Sequence, residues 1–191
     1  PHLLAIHEKS VPDLPFFLEE GDYLPPRIDD EEKKELLKAA ESALIVLGVR
    51  DSLAYVEAKL TEKGVKIIEA SSRMGGDYIY QNIAEVYKAD LIKIGAEIAL
   101  GLNVTDRPKE TKKYVVSKYF LSDHSGVITK IRGLEEIKKK KSVIGWFLSK
   151  EVGDTVLVPP DGYDHIGWIS VKGNSYSEAE QTIDSIFRKV H

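Results

Sequence analysis

Cysteine is absent from the 191 residues, which excludes disulfides, thiolate metal sites and a cysteine nucleophile. A chain without disulfides suits a reducing compartment, and a cytoplasmic location is expected. Gln81 and Gln181 are the only glutamines, Asn82, Asn103 and Asn174 the only asparagines, and Met74 the only methionine. Scarcity of these thermolabile residues beside abundant Lys, Glu and Ile is the composition of a heat-adapted protein. No apolar run approaches the roughly 20 residues of a membrane span, so no membrane partner is expected. Net positive charge is lacking too. At −4 the chain has no basic footprint for generic nucleic-acid binding. Its densest cationic run, Lys138-Lys139-Lys140-Lys141, reads as the solvated end of a helix, where cations complement the dipole. His2, His7, His124, His165 and His191 show no zinc-ligand spacing. There is no Gly-x-Ser-x-Gly elbow and no phosphate-cradling Gly-Lys motif.

What is present reads as a soluble α+β protein, since strands and helices mix without strict alternation. Leu3–Ile6 is strand-like, and Pro12, Pro15, Pro25 and Pro26 then break up an extended loop. Asp29 and Asp30 cap a predicted helix over 31–47, with Leu36, Ala40, Ala43, Leu44 and Leu47 on one face and Gly48 as its stop. Further helices are expected over 78–87, capped by Asp77, and over 90–101. Residues 103–112 form a polar connector that separates an expected lobe at 1–102 from a smaller unit at 113–191. That second unit reads as strands at 113–121, 127–132, 142–149, 154–158 and 164–172, with helices at 134–141 and 176–190.

The most informative stretch lies between the first two helices. Leu53–Leu60 and Val65–Ser71 are strand-like and are joined by Glu62-Lys63-Gly64, in which Gly64 suits the left-handed last position of a hairpin loop. In that register paired positions sum to 126, so 59 faces 67 and Glu57 faces Glu69, with Cβ atoms roughly 5 Å apart. Apolar residues on both faces suggest central strands covered on both sides. Facing carboxylates repel. A divalent cation relieves this, as does a hydrogen-bonded neutral dyad; the bland alternative is a solvated face with Lys59 as neutralising neighbour.

Tyr55-Val56-Glu57, the glycine turn, and Ile68-Glu69-Ala70-Ser71-Ser72-Arg73-Met74-Gly75-Gly76-Asp77 together resemble the magnesium-binding hairpin of ATP-grasp ligases, in their amino-acid-ligase and carbamoyl-phosphate-synthase-like branches. Phe17-Leu18-Glu19-Glu20-Gly21-Asp22-Tyr23-Leu24-Pro25-Pro26 resembles the loop before the long helix of the amino-acid-ligase branch. Ser125-Gly126-Val127-Ile128, Val152-Gly153-Asp154-Thr155-Val156 and Ile166-Gly167-Trp168-Ile169 resemble its C-terminal subdomain. The resemblance implies an ATP- and Mg²⁺-dependent carboxylate–amine ligase acting through an acyl phosphate on small-molecule substrates. It implies Glu57 and Glu69 as metal ligands, Arg73 as the anion-binding catalytic residue, and Gly75 and Gly76 as the place where backbone approaches the bound substrate. Ser71 stands where the family usually places a metal-ligating Asn, and its hydroxyl can take that part. The family's nucleotide-clamping lobe has no counterpart in these residues. A fragment or split-enzyme half, inactive alone, is therefore expected; the alternative is a non-catalytic ATP-grasp-like scaffold. A homo-oligomer is compatible with either.

Overall fold

The computed structural model describes residues 2, 4–11 and 17–190. In chain order its elements are β1 (Glu8–Ser10), β2 (Gly21–Leu24), α1 (Asp30–Val46), β3 (Tyr55–Lys59), β4 (Lys66–Ser71), α2 (Ile79–Tyr87) and α3 (Leu91–Ala99). There follow β5 (Tyr114–Phe120), β6 (Gly126–Val127), α4 (Leu134–Lys139), β7 (Val143–Leu148), β8 (Thr155–Val156), β9 (Gly167–Gly173) and α5 (Tyr176–Phe187). The α+β class expected from the sequence is the class observed. No helix among the described residues is long and apolar enough to cross a membrane.

These residues form two compact units, one within 1–6 and 26–110 and the other within 7–25 and 111–191. The division is not the sequential one expected, because the segment before Pro26 contributes two strands to the second unit. β2 pairs antiparallel with β5, Asp22 opposite Ser117, and β1 pairs with β2. Periodicity does not reveal either strand because each is only three or four residues long, and β2 is fixed by β5, far along the chain. Of the expected strand Leu3–Ile6, Leu3 lies outside the described residues and 4–6 adopt no regular structure. Pro12, Pro15 and Phe16 also lie outside the described residues.

In the first unit, α1 begins with a full capping box. Asp29 accepts from the backbone N–H groups of Glu31 and Glu32, and the Glu32 carboxylate accepts from Asp29 N–H at 2.9 Å. The helix packs against the β3–β4 hairpin, yet none of its residues is fully buried, and Leu47, expected inward, is 61% exposed. α2 and α3 pack together, with Ile83, Val86, Leu91 and Ile94 buried. Asp90 caps α3 through the N–H groups of Ile92 and Lys93. The helix expected from 78 starts at Ile79, with Tyr78 rather than Asp77 as its N-cap. Asp77 takes φ +49°, a left-handed conformation foreign to an N-cap residue, so the chain turns into the helix one residue later.

The second unit is a five-stranded antiparallel sheet in the order β1-β2-β5-β9-β7, covered on one face by α5. Val116, Phe120, Ile169 and Val171 project from that face toward Ala179, Ile183 and Ile186 of α5 and Ile137 of α4, all buried. On the opposite face a polar row crosses three strands: Asp22, Ser117 and Ser170 occupy successive register positions, and the two hydroxyls lie 2.7 Å apart. His7 Nδ1 meets Asp22 Oδ2 at 2.8 Å. β6 and β8 form a separate short ladder. The longer strands expected at 127–132 and 154–158 shorten to this two-residue pairing.

Candidate functional site

The β3–β4 hairpin fixes the site. Thr61 C=O accepts from Gly64 N–H at 2.9 Å, and Gly64 has φ +84°, so the chain reverses where glycine permits it. Tyr55 pairs with Ser71, Val56 with Ala70, and Glu57 with Glu69, the carboxylate pairing expected from the sequence. Nearer the turn the register slips by one residue, pairing Ala58 with Ile67 and Lys59 with Lys66. Ile68 is the extra residue of a β-bulge. Position 59 therefore faces 66 rather than 67, and Ile67 moves to the face opposite the glutamates. The hairpin is a two-stranded sheet, and Ile67 and Ile68 are 36% and 64% exposed. The double-sided covering expected for central strands is not present among the described residues.

On the Glu57–Glu69 face, alternation places Tyr55, Glu57, Glu69 and Ser71 together. Ser71 Oγ donates to Glu69 Oε1 at 2.6 Å. Arg73 Nη2 donates to the same oxygen at 3.3 Å, and its Nη1 donates to Met74 C=O at 3.0 Å. Tyr55 Oη donates to Glu57 Oε2 at 3.3 Å, and the Arg73 guanidinium lies over the Tyr55 ring, 5.4 Å from its centre. The structure thus gathers Glu57, Glu69, Ser71 and Arg73 around one hairpin end. Tyr55 is a member that sequence reasoning missed, although the signal was there: two residues before Glu57 on the same strand is one step along the same face.

Gly75 and Gly76, which follow, are not equivalent. Gly75 is buried, and a Cβ there would sit 2.7 Å from Ile79 Cδ1 and 2.9 Å from Ile79 Cγ2, so the missing side chain makes room for α2. Gly76 is exposed and has nothing within 4 Å of its Cβ direction, which leaves its backbone open to approach.

The donor set fits Mg²⁺. No group of three or more His, Asp or Glu gathers in metal-holding geometry among the described residues. Mg²⁺ does not require one, since it is commonly held by one or two carboxylates with waters and substrate phosphates completing six oxygens. Two facing carboxylates and a hydroxyl, all hard oxygen donors, suit that mode. The hydrogen bonds to Glu69 use Oε1, and a carboxylate offers about four lone-pair positions.

Residues 118–191 match the family described as L-amino acid ligase C-terminal domain 2. Carnosine synthase 1 of Homo sapiens is 29% identical over 127 residues, covering 65% of this chain and 15% of that protein. Alanine–anticapsin ligase of Bacillus subtilis is 24% identical over 201 residues, covering 96% of this chain and 42% of its own length. The crystal structure of L-amino acid ligase from Bacillus licheniformis superposes with a TM-score of 0.88 at 24% identity, covering 100% of this chain and 47% of that one. The chain spans less than half the length of each of these relatives. Residues 118–191 thus match an L-amino acid ligase C-terminal domain 2, and the chain as a whole has the fold of the corresponding part of a solved L-amino acid ligase.

Proposed function

We propose that the chain supplies the metal-binding part of an ATP-dependent ligase that joins a small-molecule carboxylate to an amine. The single observation that carries this reading is the register pair Glu57–Glu69, with Ser71 and Arg73 converging on the Glu69 carboxylate. The γ-phosphoryl group of ATP passes to the substrate carboxylate, giving ADP and an acyl phosphate. The amine lone pair then attacks the acyl carbon, phosphate leaves with the C–O electron pair, and the amine loses a proton. Mg²⁺, bound with ATP, supplies neutralisation of the charge on the β- and γ-phosphate oxygens. Glu57 would hold one ion, Glu69 would bridge two, and Ser71 would offer its hydroxyl to the second. Arg73 would present its planar fork to the transferring phosphoryl group or the substrate carboxylate. Gly76 would let that anion approach the backbone.

In this reading an adenine-clamping lobe would complete the site. Support comes from the length of the relatives and from apolar side chains left uncovered on the first unit: Ile45, Val46 and Leu47 at the end of α1, and Ile67 and Ile68 on the hairpin.

The test joins the chain to an ATP-grasp nucleotide-binding lobe and measures carboxylate-dependent ADP release with Mg²⁺. Glu69→Gln is expected to lower the rate by about 10²-fold or more, because one carboxylate serves both metal positions. Equal rates for the variant and the wild type would refute the metal assignment. Absence of ADP release with every amino acid offered would favour a second reading, a scaffold that has kept the fold without the chemistry; Ser71 in the usual Asn position is the feature that favours it.

A further inference from the structure

We infer that Tyr55 is the positioning residue that couples the metal carboxylates to the anion-binding arginine; this rests on the metal reading of Glu57 and Glu69 given above. Three observations converge on its side chain. First, its register partner is Ser71, so its ring stands one step beyond the Glu57–Glu69 pair on the same face. Second, its hydroxyl donates to Glu57 Oε2 at 3.3 Å. Third, its ring carries the Arg73 guanidinium, 5.4 Å from centroid to Cζ and within the range of a cation–π contact.

Each contact answers a specific need. A glutamate on a half-exposed strand rotates among several rotamers, and a metal ligand must present its oxygens in one of them. Hydrogen bonds from neighbouring groups orient such ligands, and their loss typically lowers metal affinity by about 10- to 100-fold. Glu69 gets this support from Ser71 and Arg73, while Tyr55 gives it to Glu57. Arg73 follows the end of β4 and its side chain is 54% exposed, so an aromatic wall restricts where its fork can point. The guanidinium lies over the ring, which limits its direction, and its N–H groups beyond those given to Glu69 and Met74 remain for an anion. One side chain thereby holds two groups that must act on the same phosphoryl group, the hydroxyl serving the cation side and the ring the anion side.

The two halves separate experimentally. Tyr55→Phe keeps the ring and removes the hydroxyl; Tyr55→Leu removes both. The chain is titrated with Mn²⁺, free ion being read by electron paramagnetic resonance, in the absence and presence of inorganic pyrophosphate. Glu57→Gln and Glu69→Gln serve as references, and thermal unfolding establishes that each variant is folded. Tyr55→Phe is expected to weaken Mn²⁺ binding about 10-fold while preserving the wild-type enhancement by pyrophosphate. Tyr55→Leu is expected to weaken Mn²⁺ binding equally and to abolish most of that enhancement. A purely structural tyrosine would not divide the two readouts between the two variants. If both variants match the wild type while Glu57→Gln loses the ion, the role of Tyr55 is refuted and the metal site stands. If the wild type binds no Mn²⁺, or both glutamine variants bind it unchanged, the metal reading fails and the role of Tyr55 fails with it.

Discussion

The two adjacent glycines of the Arg73-Met74-Gly75-Gly76 segment do different jobs, although in sequence they look alike. Adding a methyl at Gly75 drives it into Ile79, where α2 begins, so Gly75→Ala is expected to destabilise the protein by about 1–3 kcal/mol in urea unfolding. Gly76→Ala, with open space ahead of it, should change stability by less than about 0.5 kcal/mol. If the two variants unfold alike, the packing role of Gly75 is wrong. Charge gives a second test. Glu136 lies between Lys139 at 2.7 Å and Lys189 at 2.9 Å, and hydrogen bonds from these ammonium groups pull its carboxyl from 4.5 down to about 2. A carboxyl held lower in the folded state than in the unfolded one stabilises the fold at pH values above 4.5. That contribution fades as pH falls from 4.5 toward 2. Unfolding of Glu136→Gln should therefore differ from wild type at pH 6 and converge with it near pH 2. A difference that persists undiminished at pH 2 would contradict this assignment.

Among the elements, the hairpin shows how far residue patterns reach. Its Glu57–Glu69 pairing is legible because side chains alternate strictly and because Gly64 marks the turn. The bulge at Ile68 is not legible, since nothing in Lys66-Ile67-Ile68-Glu69 announces which residue the ladder will skip. The pairing at the site survives because the slip lies on the turn side of it. Helix α1 is legible to within a residue at each end, because Asp29 marks its start and Gly48 its stop. Asp29→Ala is expected to cost about 1 kcal/mol of stability, measured by denaturant unfolding. The short strands β1 and β2 were hidden. β2 pairs with β5, about ninety positions away, and β1 pairs with β2, and no local periodicity records such partners. Tyr55 was visible as a strand residue but not as a site residue, because its contacts to Glu57 and Arg73 emerge only when the strand and the loop beyond β4 are folded.

Over the whole molecule, each unit buries apolar residues and each leaves large ones in water, Ile45, Val46 and Leu47 in the first and Phe147 and Val152 in the second. Ile183 is fully buried between α5 and the sheet, and Ile183→Ala is expected to cost about 2–5 kcal/mol. Val46 is 86% exposed, so Val46→Lys should leave stability nearly unchanged in the isolated chain and weaken its association with a nucleotide-binding lobe. Fold class and the position of the carboxylate pair were thus within reach of sequence patterns. The grouping of 7–25 with the second unit was not, because it depends on which distant strands find each other. A divalent cation between Glu57 and Glu69 is tested by anomalous diffraction from crystals of the protein soaked in Mn²⁺ and pyrophosphate. A peak roughly 2.1–2.2 Å from oxygens of both carboxylates is the expected result. A soaked crystal with no peak there, its two carboxylates turned apart into solvent, would contradict it.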